Sequence, residues 1–297
     1  MVWKDIPKEI KRIDEIGQGK TILERFEDIP KTLGEVRELD TLNLDILDAV
    51  LDHHTQIAEM IIKKALKRFP NCHPYIAFSG GKSSLVLIKI LSKVVEDYSV
   101  IFSNTLIEYP DTIKFVRSFT TKRNLNYIEV KPKATFFKML NNGHNFPSKY
   151  DRWCCTPLKS NPSEDWFIEN DIEPLLFLGE HKSENSYRYH YLPFDLFNTK
   201  NANAHVFHPL LYMDEWEIWR YIDRNQLEYL ELYKKGVKYK DKWRHWHSLQ
   251  YERNGCWLCP CGHVPSYPQF LLLKAWYPKH WRLLKRCVQG VRTANSQ

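Results

Sequence analysis

The sequence predicts an α/β protein: a doubly wound parallel sheet followed by a helical, cysteine-containing C-terminal region. Three observations carry this expectation. Short apolar segments alternate with stretches of helical periodicity across residues 44–225. A glycine-rich turn, Ser79-Gly80-Gly81-Lys82-Ser83-Ser84, joins one apolar segment to the helical stretch after it. The cysteines gather at Cys154-Cys155 and at Cys256, Cys259 and Cys261.

The elements follow in order. Residues 1–43 are charged and weakly periodic, and read as an appended segment. Leu47, Val50, Leu51, Ile57, Ile61 and Ala65 recur at helical spacing until Pro70 ends the helix. Tyr75-Ile76-Ala77-Phe78 reads as a strand running into the glycine turn, and Leu85-Val86-Leu87-Ile88 leads the next helix. Strands are expected at 99–102, 127–130 and 175–178, with a helix over 110–122. Asp214 is placed to cap a helix spanning 216–222. Right-handed crossovers between parallel strands put any ligand at the strands' C-terminal edge. Residues 44–225 therefore form one α/β unit, and 226–297 a basic, aromatic, cysteine-bearing unit. Its segment 234–253 is basic and aromatic, with a solvated loop over 239–251 as the alternative to a binding segment, and 269–285 reads as one helical tail.

Composition narrows the class. A hydrophobic fraction of 43% supports a full core, and a net charge of +7 suits an anionic ligand such as a nucleotide or polynucleotide. The opening residues are charged and no apolar run approaches the ~20 residues that cross a bilayer, so a cytoplasmic protein without a membrane partner is expected. Seven cysteines in such a chain point to metal or thiol chemistry more than to a disulfide framework.

The glycine turn has the make-up of a phosphate cradle. Glycines let backbone N–H groups turn inward and approach oxygens closely. The helix N-terminus adds its dipole, Lys82 a charge, and Ser79, Ser83 and Ser84 hydroxyl donors. The spacing is not that of a Walker A loop.

The cysteines imply a metal. Adjacent side chains at Cys154 and Cys155 diverge, whereas Cys256 and Cys259 can chelate one centre through a tight loop between Gly255 and Pro260. Thiolates from two distant segments suit a [4Fe–4S] cluster or a structural Zn²⁺ ion. Cys261 and His263 are further candidates, while Cys72 and Cys287 read as ordinary thiols.

These motifs together resemble the phosphoadenosine phosphosulfate (PAPS) reductase-like family of the ATP pyrophosphatase, or PP-loop, superfamily. The turn is similar to the family's Ser-Gly-Gly-Lys-Asp-Ser loop. Asn104-Thr105-Leu106-Ile107-Glu108-Tyr109-Pro110-Asp111-Thr112 resembles its Asn-Thr-Gly-x-Glu-aromatic-Pro-Glu-Thr segment. Arg152-Trp153-Cys154-Cys155-Thr156-Pro157 is similar to its paired-cysteine motif, and Gly255-Cys256-Trp257-Leu258-Cys259-Pro260 to its terminal Cys-x-x-Cys-Pro. Gly179-Glu180-His181, with Arg188 downstream, resembles its Gly-Glu-Arg…Arg segment. The resemblance runs in family order over about residues 45–285. It implies an adenine nucleotide alpha-hydrolase-like, Rossmann-like fold. The nucleotide, ATP or adenylyl sulfate, would lie on Phe78 to Ser84, Asn104, Thr105, Gly179 and Glu180, with Lys82, His181 and Arg188 serving catalysis. It also implies a [4Fe–4S] cluster held by Cys154, Cys155, Cys256 and Cys259, with Cys261 in reserve. Ser83 stands where the family carries Asp, so a Mg²⁺ contact there loses its carboxylate. His181 stands where Arg is usual.

Two chemistries share such a scaffold. One adenylylates an acceptor with ATP, releases pyrophosphate and lets sulfur displace AMP. The other attacks adenylyl sulfate, or its 3′-phosphate form, with a cysteine and passes the product to a thiol reductant. The Gly80-Gly81-Lys82 cradle resembles the pyrophosphate-holding form, and the stretch Lys285-Arg286-Cys287-Val288-Gln289-Gly290 is not the reductases' Glu-Cys-Gly-x-His nucleophile. Residues 239–251 alternate basic and aromatic side chains that suit a tRNA or DNA backbone and its bases. The sequence thus favours an adenylylating sulfurtransferase served by a sulfur donor protein. A sulfonucleotide reductase is the alternative, and a nucleotide sensor that binds without turnover is the other.

Overall fold

The computed structural model describes residues 41–144, 146–147, 151–184, 193–195, 204–240, 246–251, 253–259 and 266–294. The chain begins there with a long helix, α1 (Thr41–Arg68), whose Leu47, Leu51, Ala58, Ile62 and Ala65 are fully buried. This is the helical periodicity of the sequence put to use. Then follow β1 (Pro74–Ala77), α2 (Lys82–Leu91), β2 (Ser99–Ser103), α3 (Pro110–Lys122), β3 (Asn126–Val130), α4 (Phe136–Asn141), α5 (Asn161–Glu169), β4 (Leu175–Phe177), β5 (Phe194–Asp195), β6 (His205–Phe207) and α6 (Glu215–Arg224).

The sheet order is β3-β2-β1-β4-β6-β5, parallel throughout except for the edge strand β5. The chain leaves β1 towards β2 on one side, and β4 later joins the other side. The crevice beyond the C-terminal ends of β1 and β4 is therefore the switch point at which doubly wound sheets bind ligands. Helices cover both faces. The main core packs α1, α2, α3 and α6 on one face, while Phe167 of α5 joins Tyr75, Ile101 and Val130 on the other.

Local chemistry sets the ends of the elements. Pro110 occupies the first turn of α3, where its missing N–H costs nothing. Asp214 opens α6 in a capping box, its backbone N–H donating to Glu217 at 2.8 Å. Arg220 of α6 donates twice to Asp48 of α1, each bond 2.7 Å.

Three features depart from the expectation. Strands β5 and β6 are too short to leave a periodic signal. The basic stretch after residue 234 is not a plain loop but a hairpin, β7 (Gly236–Lys240) with β8 (Trp246–Gln250). The tail is two helices, α7 (Ser266–Trp276) and α8 (Pro278–Ala294), because Pro278 has no N–H to continue the first and starts the second. Trp257, Leu258, Leu272, Leu273, Tyr277 and Leu284 join the main core, so it runs on past residue 226. Among the described residues, no helix is long and apolar enough to cross a membrane.

Candidate functional site

The glycine turn caps α2 at the switch point. Gly80 sits at φ +73°, a region an L side chain enters only with strain, and a Cβ there would lie 2.7 Å from Val116 Cγ2. The turn is closed by short polar contacts. The Ser84 hydroxyl donates to the Gly81 carbonyl at 2.9 Å, and the Gly81 N–H donates to Ser79 Oγ at 3.3 Å. Gly179, just beyond β4, packs directly on the start of α2. A Cβ on it would stand 3.0 Å from backbone atoms of Ser83 and Ser84. The Gly-Glu-His segment and the glycine turn therefore touch through their backbones.

Lys82 has protein partners in addition to the place foreseen for it. Its backbone N–H donates to the Tyr233 hydroxyl at 3.2 Å. Its ammonium, 7% exposed, pairs with Glu215 at 2.8 Å and lies over the rings of Trp219 and Tyr233. His181, 1% exposed, shares a 2.8 Å hydrogen bond with Ser183 and stands 3.9 Å from the same Glu215. The buried Lys82 and His181 thus share the partly exposed Glu215. Glu180 approaches the buried His208 at 3.6 Å. Phe78 is a correction: the residue is 1% exposed and its ring packs beside Phe115 and Phe119, in the core and not along a ligand. Arg188 and Cys261 lie outside the described residues.

The end of β2 supplies the neighbouring wall. Asn104, 3% exposed, donates to Glu129 at 2.8 Å and accepts from the Leu106 N–H at 3.0 Å. Leu106 is 43% exposed at φ +64°, where the resembling motif carries glycine. Glu129 also receives Arg117 twice at 2.8 Å and Tyr127 at 2.9 Å. These bonds, the guanidinium's first, hold its carboxyl down at about 2. Thr105, 1% exposed, donates to Glu108 at 2.9 Å, and its Oγ1 stands 3.4 Å from Cys256 Sγ.

The cysteine segments meet at this wall. Cys154 and Cys155 lead into a wide π-helical turn, Thr156–Ser160. Cys256 pairs with Glu108 in an isolated antiparallel bridge, and the Trp257 N–H donates to the Ile107 carbonyl at 3.0 Å. The Cys259 N–H returns to the Cys256 carbonyl at 3.0 Å, closing the Cys-x-x-Cys loop. Cys155, Cys256 and Cys259 all weigh electrostatically on Cys154, whose thiol they and burial push up. Cys155 is pushed the other way by the hydrogen bond from Cys154 and by Arg152 and Lys159. Burial and the Glu108 carboxylate raise Cys256. All four are free thiols, half-buried, in one locality.

Asn254, absent from the sequence expectation, joins the two halves. Its amide donates to the Ser79 carbonyl at 2.7 Å and accepts from Thr112 at 2.7 Å, two residues before Cys256. No local pattern around it announces this bond, whose partner lies 175 residues away. Asp111 makes a second clasp: Lys235 at 2.5 Å and the Tyr277 hydroxyl both bind it, against the cost of burial, and lower its carboxyl.

Comparison with known proteins follows the same lines. A family model described as the phosphoadenosine phosphosulfate reductase domain matches residues 73–261. An uncharacterized protein of Methanocaldococcus jannaschii is 30% identical over 221 residues, which cover 74% of this chain and 49% of that one. The chain thus spans about half the length of this archaeal relative. An adenosine 5′-phosphosulfate reductase of Bacillus cereus is 25% identical over 193 residues, 62% of this chain and 77% of that one. The crystal structure of an FMN adenylyltransferase from Candida glabrata shares the fold, with a TM-score of 0.50 at 12% identity, covering 74% of this chain and 68% of that one.

Proposed function

The chain belongs to the phosphoadenosine phosphosulfate reductase family, a family of adenine-nucleotide enzymes, and from that premise we propose that it is an ATP-adenylylating, iron–sulfur-dependent sulfurtransferase acting on an acceptor such as tRNA or DNA. The observation that carries the reading is the Asn254 bridge. It holds the carbonyl of the phosphate turn and the Cys256 loop side by side, so phosphates and sulfur chemistry share one crevice.

The paired-cysteine and Cys-x-x-Cys motifs support a [4Fe–4S] cluster over Zn²⁺, with Cys154, Cys155, Cys256 and Cys259 as its ligands. Arg152 and Lys159 beside Cys155 offset the charge of a thiolate cage. When bound, such a cluster supplies sulfur or electron chemistry at the crevice.

The chain's own residues do the rest. The acceptor oxygen attacks the α-phosphorus of ATP, and the bond to pyrophosphate breaks. Backbone amides of Gly80 to Ser84 and the α2 dipole stabilise the leaving pyrophosphate. Gly179, bare of a side chain, lets β4's end close on the turn. Lys82 and His181 supply charge from beneath, with Glu215 holding both in place until the nucleotide arrives. Arg188, outside the described residues, is assigned to neutralise charge growing on the α-phosphate. Asn104, Thr105 and Glu180 flank the adenosine. Sulfur from a donor protein then displaces AMP from the acceptor. The β7–β8 hairpin, drawn from the basic and aromatic stretch, presents the acceptor's backbone.

The Bacillus relative favours a second reading, a sulfonucleotide reductase using a thiol reductant. One preparation offered both substrates separates them. ATP with bulk RNA or DNA is expected to release acceptor-dependent pyrophosphate, and adenylyl sulfate or its 3′-phosphate with a thiol should release no sulfite. Sulfite without ATP cleavage reverses the assignment. Nucleotide binding without either product leaves a sensor.

A further inference from the structure

The opposite edge of the sheet carries a second cluster of metal-ligating side chains that the proposed reaction does not use. Cys72 precedes β1, Glu173 precedes β4, and His205 opens β6. These three strands are neighbours in the sheet. Leu175 pairs with both Pro74 and His205, so the register brings the three starts level. One ligand atom from each of Cys72, Glu173 and His205 lies within 4.8 Å of the other two.

The imidazole is already oriented for such a role. Its ring stacks on Phe69 at 3.8 Å between centroids, tilted by 20°. Nε2 is 2.7 Å from a Glu173 oxygen. Nδ1 is buried and has no hydrogen-bond partner. A buried ring nitrogen left without a partner is costly unless something else satisfies the imidazole.

We propose that Cys72, Glu173 and His205 bind a Zn²⁺ ion that ties together the N-terminal ends of β1, β4 and β6. One thiolate, one carboxylate and one imidazole are the mixed donor set that zinc accepts. Tetrahedral zinc requires ligand atoms about 3.3–3.8 Å apart. The observed spacing reaches this by small movements of side chains, since Glu173 is 54% exposed and His205 15%. The fourth position falls to water. The ion is structural: it staples three adjacent strands at the edge away from the phosphate turn.

The test is a difference between full-length proteins, so the metal held by the four crevice cysteines cancels. Wild type, Cys72→Ser, Glu173→Gln and His205→Gln are each equilibrated with Zn²⁺, dialysed, and assayed for zinc per chain. The expected result is one zinc fewer in Cys72→Ser and His205→Gln than in wild type. In Glu173→Gln, whose exposed side chain makes it the variant safest for folding, zinc affinity should fall by about tenfold or more. Added Zn²⁺ should also raise the melting temperature of wild type more than that of Glu173→Gln. Equal zinc and equal thermal shifts in wild type and Glu173→Gln would overturn the proposal, as would wild-type stoichiometry in the other two. ATP affinity should be unchanged in Glu173→Gln. The outcome does not depend on whether the crevice holds a cluster or which reaction it runs.

Discussion

The phosphate turn and the cysteine centre are neighbours built in opposite ways. The turn is six consecutive residues whose internal polar bonds span no more than five positions, with Tyr233 and Asn254 as its long-range partners. The cysteine centre joins residues 154–155 to 256–259 and exists only when the C-terminal segment docks on β2 and α3. A local device tolerates distant changes and is sensitive to its own backbone. A device assembled at long range depends on its clasps. The predictions below test that division, from the largest expected effect to the smallest.

Cys256→Ser should bleach an anaerobically prepared protein and abolish its iron. ATP affinity should stay within about threefold, because a charge-assisted cradle of amides is local. Parallel loss of both, measured by iron assay and calorimetry, would show that the two sites are one unit.

Gly80→Ala strikes the turn itself. The strained φ and the 2.7 Å clash with Val116 should together cost about 2–4 kcal/mol in chemical denaturation. Adding Val116→Ala relieves only the clash, so the double variant should recover part of the lost nucleotide binding. No recovery would mean that backbone strain alone sets the cost.

Lys82→Ala sharpens the question its position raises. Losing a charge-assisted contact in the nucleotide complex should weaken ATP or adenylyl sulfate binding by about 1.5–3 kcal/mol. If stability falls while both affinities hold, Lys82 serves Glu215 and not the nucleotide.

Much of this was legible in the residues, for reasons that can be named. The order strand, glycine turn, helix over 74–91 was readable because apolar runs and turn chemistry are local. Pro110 and Asp214 marked helix starts through their own side chains. What was not legible lies at long range. The Lys82 ion pair was hidden, since nothing near it in sequence reveals that Glu215 sits 2.8 Å away. Phe78 looked like a wall of the nucleotide site, and the packing of α3 took its ring into the core. The hairpin after 234 hid behind charge, and two-residue β5 had no room for a pattern.

Glu129 links pH to the wall of the crevice. Its carboxyl lies at about 2 when folded, against an ordinary 4.5. A depressed carboxyl contributes its full stability above about pH 4.5 and loses it as pH falls towards 2. The stability gap between wild type and Glu129→Gln, followed by denaturation across that window, should therefore close on acidification. A gap that stays constant would mean Arg117 and Asn104 do not depend on the charge.

The smallest effect is expected at Leu106. Glycine in an ordinary position costs up to about 1 kcal/mol. At φ +64° and 43% exposure, Leu106→Gly should be neutral or gain as much as about 1 kcal/mol. A measured loss of that size would mean the leucine makes a contact worth its strain.

The span between the two cysteine segments has a consequence for synthesis. About a hundred residues separate Cys155 from Cys256. At roughly 5–20 residues per second, the ribosome exposes the first thiol pair some 5–20 s before its partners emerge. For that interval the nascent chain carries two thiols whose partners are not yet made. Under the proposed cluster, loading would follow docking of the C-terminal segment.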